Sequence, residues 1–173
     1  MSFRGTTKLT VNEAALSGFT HQVTITAEDL QGNDFAGTAF AADTSGALFK
    51  FPRVGAIESI ATYLETPFDG GSDNDLSLDI GKHATAASGD DELIDAQQIH
   101  VDATEVTTEI NSGDGFTVGS DANTGNSVAV AADDFLTAKF TTSGSDALSV
   151  LTTGKLHIFF KYIDPFVVVN DAS

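Results

Sequence analysis

Apolar residues at every second position, repeated in short runs along the chain, constrain this sequence more than any other feature. Leu76, Leu78 and Ile80 alternate with Ser77 and Asp79. Leu156, Ile158, Phe160 and Tyr162 alternate with Lys155, His157, Phe159 and Lys161. The same period appears in Leu9 and Val11, in Val23, Ile25 and Ala27, in Ala47, Phe49 and Phe51, and in Leu136, Ala138 and Phe140. A period of two puts one set of side chains on a core and the other toward water, which is the geometry of a half-buried strand. Leu76, Leu78, Ile80, Leu156, Ile158 and Phe160 are therefore expected to be buried, and Ser77, Asp79 and Lys161 exposed. His21 and His157 fall on the polar faces of their strands.

Two segments are apolar on both faces. Residues 57–64 put Ile57, Ala61 and Tyr63 on one side and Ile60 and Leu64 on the other. Phe166-Val167-Val168-Val169 is a continuous apolar run. Such strands lie centrally in a sandwich or under a second surface. Clusters of Gly, Asp, Asn and Ser separate the runs and read as turns, for example Thr44-Ser-Gly, Ser88-Gly-Asp-Asp and Ser143-Gly-Ser-Asp. Pro52 and Pro67 bracket the Ile57 strand, and Pro165 divides the last two runs. Ala27-Glu-Asp-Leu suits one helical turn, and Asp90–Gln98, with acids at its start, a short helix. Residues 100–110 fit neither pattern cleanly, and 111–127, rich in Gly, Asn, Ser and Asp, read as a long surface loop. The expected fold class is all-β: an antiparallel β-sandwich with long loops and at most one or two short helices. Residues 1–7 form an N-terminal arm, and 8–173 a single domain.

Composition agrees. A chain of 173 residues needs no covalent staple, and this one has no cysteine. Thirteen Phe with no Trp and one Met point to a core of rigid aromatics and branched aliphatics. The net charge of −17 repels phosphate backbones and anionic membranes, so neither nucleic acid nor a membrane is an expected partner. The first residues carry no apolar signal segment, and no run approaches a membrane span, so synthesis in the cytoplasm is expected.

The order of these features resembles one protein class. Leu48-Phe-Lys-Phe-Pro-Arg-Val-Gly-Ala-Ile reads as strand, Pro corner and new strand. Tyr63-Leu-Glu-Thr-Pro-Phe-Asp-Gly, Leu76-Ser-Leu-Asp-Ile-Gly and Thr152-Thr-Gly-Lys-Leu-His-Ile-Phe-Phe-Lys-Tyr-Ile-Asp follow. From about residue 20 to 164 the chain resembles the small β-sandwich structural proteins of tailed bacteriophages, the head decoration or cement proteins in particular. The resemblance implies a jelly-roll-like sandwich, a homotrimer, and a place on the capsid surface of a virion, with the major capsid protein as partner. The shared features are those of sandwich construction, so no catalytic residue carries over. A receptor- or carbohydrate-binding module of a phage tail or fibre is the alternative, which the absence of Trp disfavours.

The residues that could carry chemistry point the same way. His21, His83, His100 and His157 show no metal-ligand spacing. No Gly-x-Ser-x-Gly elbow is present, and Gly113-Asp-Gly-Phe-Thr-Val-Gly has an acid and no Lys where a phosphate loop needs the reverse. The carboxylates could always be paired on paper, but the aromatic lining of a sugar cleft is scarce. Asp69, Asp73, Asn74 and Asp75 form a weak calcium candidate, since a tight loop could aim several oxygens at a hard cation. An ordinary turn explains the same residues. The reading is a protein without enzymatic activity or cofactor that acts through contacts. Phe3 and Arg4 of the arm and Phe166, Val167, Val168 and Val169 near the end are the interface candidates.

Overall fold

The computed structural model describes residues 7–8, 18–31, 43–69, 76–85, 93–100, 117–118, 127–142 and 151–164. Its elements are β1 (Thr7–Lys8), β2 (His21–Thr26), the helix α1 (Ala27–Gln31), β3 (Asp43–Lys50), β4 (Gly55–Asp69), β5 (Leu76–His83) and β6 (Ile94–His100). They continue with β7 (Thr117–Val118), β8 (Val128–Val130), β9 (Phe135–Thr142) and β10 (Thr153–Ile163).

Nested pairing explains the topology. β2 pairs with β10, β3 with β9, β4 with both β7 and β8, and β5 with β6, all antiparallel. This is one long hairpin. Rolling it up adds two further antiparallel pairings, β10 with β4 and β9 with β5. The result is two sheets, β1-β2-β10-β4 with β7 and β8 along the far edge, and β3-β9-β5-β6. A hairpin rolled into two facing sheets is the jelly roll. The chain is thus an all-β sandwich, with one short helix among the described residues.

The core lies between the sheets. Leu76, Leu78, Ile80, Leu156, Ile158 and Phe160 are all buried, as are Leu136, Ala138 and Phe140. Ser77, Asp79 and Lys161 are half-buried rather than exposed. Lys161 lies against Glu58, Nζ to Oε2 2.6 Å, and Asp79 is opposite Lys139. Long side chains on a pleated face shade their cross-strand neighbours.

Bulges correct the alternation in two strands. In β3, Ala47 faces Thr137 and Phe49 faces Leu136, so Leu48 is an extra residue. Leu48 and Phe49 consequently both turn to the core, Leu48 within it and Phe49 packed against it, whereas strict alternation sends them to opposite faces. In β4, Ser59 faces Lys161 and Ile57 faces Tyr162, leaving Glu58 extra. Ile57 therefore joins Ile60, Thr62 and Leu64 on the core side, and Ala61 and Tyr63 lie on the other. Pro67 falls inside β4, where the register against β10 slips again between Thr66 and Asp69. A proline, lacking an N–H, is tolerated at such a slip.

The helical turn at Ala27 forms where expected. Thr26 and Asp29 cap it reciprocally: Asp29 N donates to Thr26 Oγ1 at 3.3 Å, and Thr26 N to Asp29 Oδ2 at 2.8 Å. The helix expected over Asp90–Gln98 is replaced from Ile94 onward by strand β6, because pairing to the exposed edge of β5 outweighs a weak local preference. Thr7, expected in the arm, already pairs with Gln22. Within the 111–127 stretch, Thr117–Val118 pairs with β4 at Thr62 and Ala61.

One core position is chemically out of place. Thr62 is fully buried, and its Oγ1 has no hydrogen-bond partner among the described residues. A buried hydroxyl left unpaired costs about 1–3 kcal/mol. Thr62→Val keeps the shape and removes the hydroxyl. It is expected to raise the denaturant midpoint, by about 1 kcal/mol in stability with an unchanged slope; a loss of stability would mean that the hydroxyl is satisfied.

Candidate functional site

Two features stand out where side chains gather. The first is a polar row on the outer face of the β2-β10-β4 sheet. His157 sits between Thr24 and Tyr63 in register. Its Nδ1 lies 2.8 Å from Gln22 Nε2 and 2.9 Å from Thr24 Oγ1. An amide nitrogen can only donate, so Nδ1 accepts and Nε2 carries the hydrogen that reaches Glu65 Oε2 at 2.5 Å. Lys155 Nζ donates to the other oxygen of Glu65 at 2.9 Å. Glu65 reaches both because it is itself a bulge: Thr66 faces Lys155 and Leu64 faces Leu156. Tyr63 stacks beside the imidazole with ring centroids 6.1 Å apart, and Phe159 and Phe19 extend the aromatic row.

The Lys155 and His157 hydrogen bonds hold the Glu65 carboxyl below its ordinary range. A carboxylate so depressed adds stability above its unfolded-state pKa and loses it as pH falls through the lower, folded value. Glu65→Gln is expected to lower stability slightly at pH 7 and to converge with the parent in acid. The effect is small because the pair is exposed and screened by salt. Denaturant midpoints at pH 7 and pH 3 check this, and a gap that widened in acid would contradict it.

The second feature is an apolar groove of about 530 Å³ at one end of the sandwich. Three stretches of chain converge on it: Thr20 and His21 entering β2, Phe49 and Pro52 around the β3–β4 corner, and Tyr162 to Asp164 closing β10. His21 is not on a polar face. It is buried on the core side, its ring parallel to that of Phe160 with centroids 4.9 Å apart. Imidazole is flat enough to join an aromatic stack, and Phe49 and Tyr162 complete the cluster.

The polar atoms of the groove wall are engaged within the chain. Tyr162 N donates to Thr20 Oγ1 at 2.9 Å, and the Tyr162 hydroxyl donates to the Arg53 carbonyl at 2.8 Å. Burial, with Asp164 nearby, pushes the Tyr162 phenol up, so it stays a donor. Arg53 reaches Asp164 at 3.5 Å. Val54 and Ile163, the large apolar side chains exposed among the described residues, both belong to this end. Ile163 is in the groove wall, and Gly55, next to Val54, is packed so closely that a Cβ there would meet Tyr162 and the Ile163 carbonyl.

Of the residues that the sequence singles out, Asp69 ends β4 with its side chain exposed, and its carbonyl accepts from Thr152. Asp73, Asn74 and Asp75 lie outside the described residues, as do Phe3, Arg4 and Phe166, Val167, Val168 and Val169. Among the described residues no three His, Asp or Glu side chains come together as a metal site would require. No helix there is long and apolar enough to cross a membrane. The groove is not legible in the sequence, because its walls come from segments some 30 and 110 residues apart. Comparison with protein-family models, with curated proteins and with solved structures finds no match to this chain.

Proposed function

We propose that the chain is a phage virion structural protein, a capsid decoration protein that binds and stabilises the assembled shell as a homotrimer. The rolled-hairpin topology carries this reading. Jelly rolls recur in viral capsid domains, and the order of strands and corners in the sequence independently resembles that of decoration proteins. Both supports are analogies of fold. The groove adds a physical one. An apolar recess whose polar atoms are already engaged suits a protein contact better than a small polar ligand. The charge of −17 then keeps the assembled surface solvated, and the shell contact rests on apolar and hydrogen-bonded area. Several copies linked in one oligomer would bind a lattice far more tightly than one.

Jelly rolls also occur in lectins, and the Tyr63–His157–Phe159 row is an aromatic strip on a sheet face. This favours the receptor- or carbohydrate-binding fibre module as the second reading. Co-sedimentation separates the two. The purified chain is expected to pellet with shells that lack it and to be a stoichiometric component of purified particles by mass spectrometry. Failure to pellet at any salt concentration would remove the decoration reading.

A further inference from the structure

We propose that His157 and Gln22 form a proton-sensing pair on the outer face of the β2-β10-β4 sheet. When the imidazole takes up a second proton, the Gln22 amide turns over. The face then exchanges an acceptor for donors and gains a positive charge. This device needs neither a shell nor a sugar, and so stands apart from both readings above.

The geometry fixes the starting state. His157 Nε2 lies against Glu65 Oε2, where a lone pair would meet a carboxylate, so Nε2 carries the hydrogen. Nδ1 is then the acceptor. It has one lone pair and two donors aimed at it, Gln22 Nε2 at 2.8 Å and Thr24 Oγ1 at 2.9 Å. With its nitrogen turned to the ring and to Thr24 Oγ1, the Gln22 amide has its oxygen on the side away from the ring.

A further proton on the ring can go only to Nδ1, which then needs acceptors where it had donors. The Thr24 hydroxyl becomes one by swinging its hydrogen aside, and no heavy atom moves. An amide NH2 has no such freedom. Gln22 must bring its oxygen round to the ring, which sends the NH2 outward from a half-buried position. The charged groups facing the ring serve both states. Glu65 on β4 receives Lys155 Nζ on one oxygen and the imidazole on the other, so it can face two cations at once. Lys155, on the same face of β10, is engaged by that carboxylate. Tyr63 on β4 stacks beside the ring. β2 presents Gln22 and Thr24, which do not titrate, and Asp29 is held by the backbone N–H and hydroxyl of Thr26. Histidine changes charge close to neutral pH, so the exchange falls where a partner contact on this face would feel it.

Nitrogen-15 NMR of the full-length chain, from about pH 8 to pH 5, tests this. At the alkaline end the hydrogen is expected on Nε2, with a nuclear Overhauser contact between the Gln22 NH2 and the His157 ring. Through the titration of His157, the NH2 resonances should move with the same midpoint and the contact should be lost. A neutral ring with its hydrogen on Nδ1 overturns the proposal, as does a Gln22 contact that persists into acid. His157→Gln assigns the ring signals, and in this variant the Gln22 NH2 should no longer respond over the same range; a response that survives overturns the pairing. Gln22→Glu offers the ring acceptors only, and should raise the His157 midpoint by at least about one pH unit. An unmoved midpoint would mean that residue 22 does not meet the ring.

Discussion

Phe160→Ala is expected to destabilise the fold by about 3–5 kcal/mol, the range for truncating a buried aromatic. Phe160 is fully buried in the central strand of its sheet. Its ring is sandwiched into the His21–Phe49–Phe51 cluster, with centroids between 4.9 and 6.5 Å. Removing it leaves a cavity between rigid rings that cannot collapse easily, and it takes the stacking partner from the buried His21 imidazole. Chemical denaturation should show the lowered midpoint. Ile158→Ala, two positions along, should lose about 2–5 kcal/mol without touching the aromatic cluster, and so separates cavity cost from stacking. A Phe160→Ala protein as stable as its parent would mean that the ring does not lie in the core.

The second large effect is expected at Gly154. Its φ of +146° lies outside the range that side chains favour. A Cβ there would overlap the ring of Phe68, which is fully buried. Two costs add: backbone strain of about 1–3 kcal/mol and overpacking of about the same size. Gly154→Ala should therefore lose at least about 2 kcal/mol. Gly154→Ala combined with Phe68→Leu should recover part of the loss, because the smaller side chain relieves the clash but not the strain. If the double variant is no better than the sum of its parts, the ring contact is not the cause.

Where a strand keeps strict alternation, counting along the sequence is enough. It places Leu76, Leu78 and Ile80 on the core, and likewise Leu156, Ile158 and Phe160. Counting fails at the bulges. One extra residue reverses the parity of everything beyond it, and nothing in Ala47-Leu48-Phe49 or Ile57-Glu58-Ser59 announces it. His21 departs from its expected polar face because its neighbours Phe160 and Phe49 make the imidazole behave as an aromatic. β6 departs from the expected helix because acids and glutamines carry a helical preference that the free edge of β5 overrides. The Glu65–His157–Thr24 row is hidden for a different reason. Its members are 133 and 92 positions from His157, and only the register of β10 between β2 and β4 brings them together.

That position of β10 has a consequence for biogenesis. β2 and β4 are never neighbours; each meets the sheet through β10. While the chain is being made, the residues destined for this sheet exist as two halves with nothing to join them. Each half exposes an apolar row, Val23 and Ile25 on one and Ile60 and Leu64 on the other, with a bare strand edge beside it. The other sheet has the same gap until β9 arrives between β3 and β5. A nascent chain of this design therefore passes most of its synthesis as unjoined strand edges, when aggregation competes with folding. Its high acidity keeps those intermediates apart by charge, an advantage at the ribosome that does not depend on what the finished protein binds.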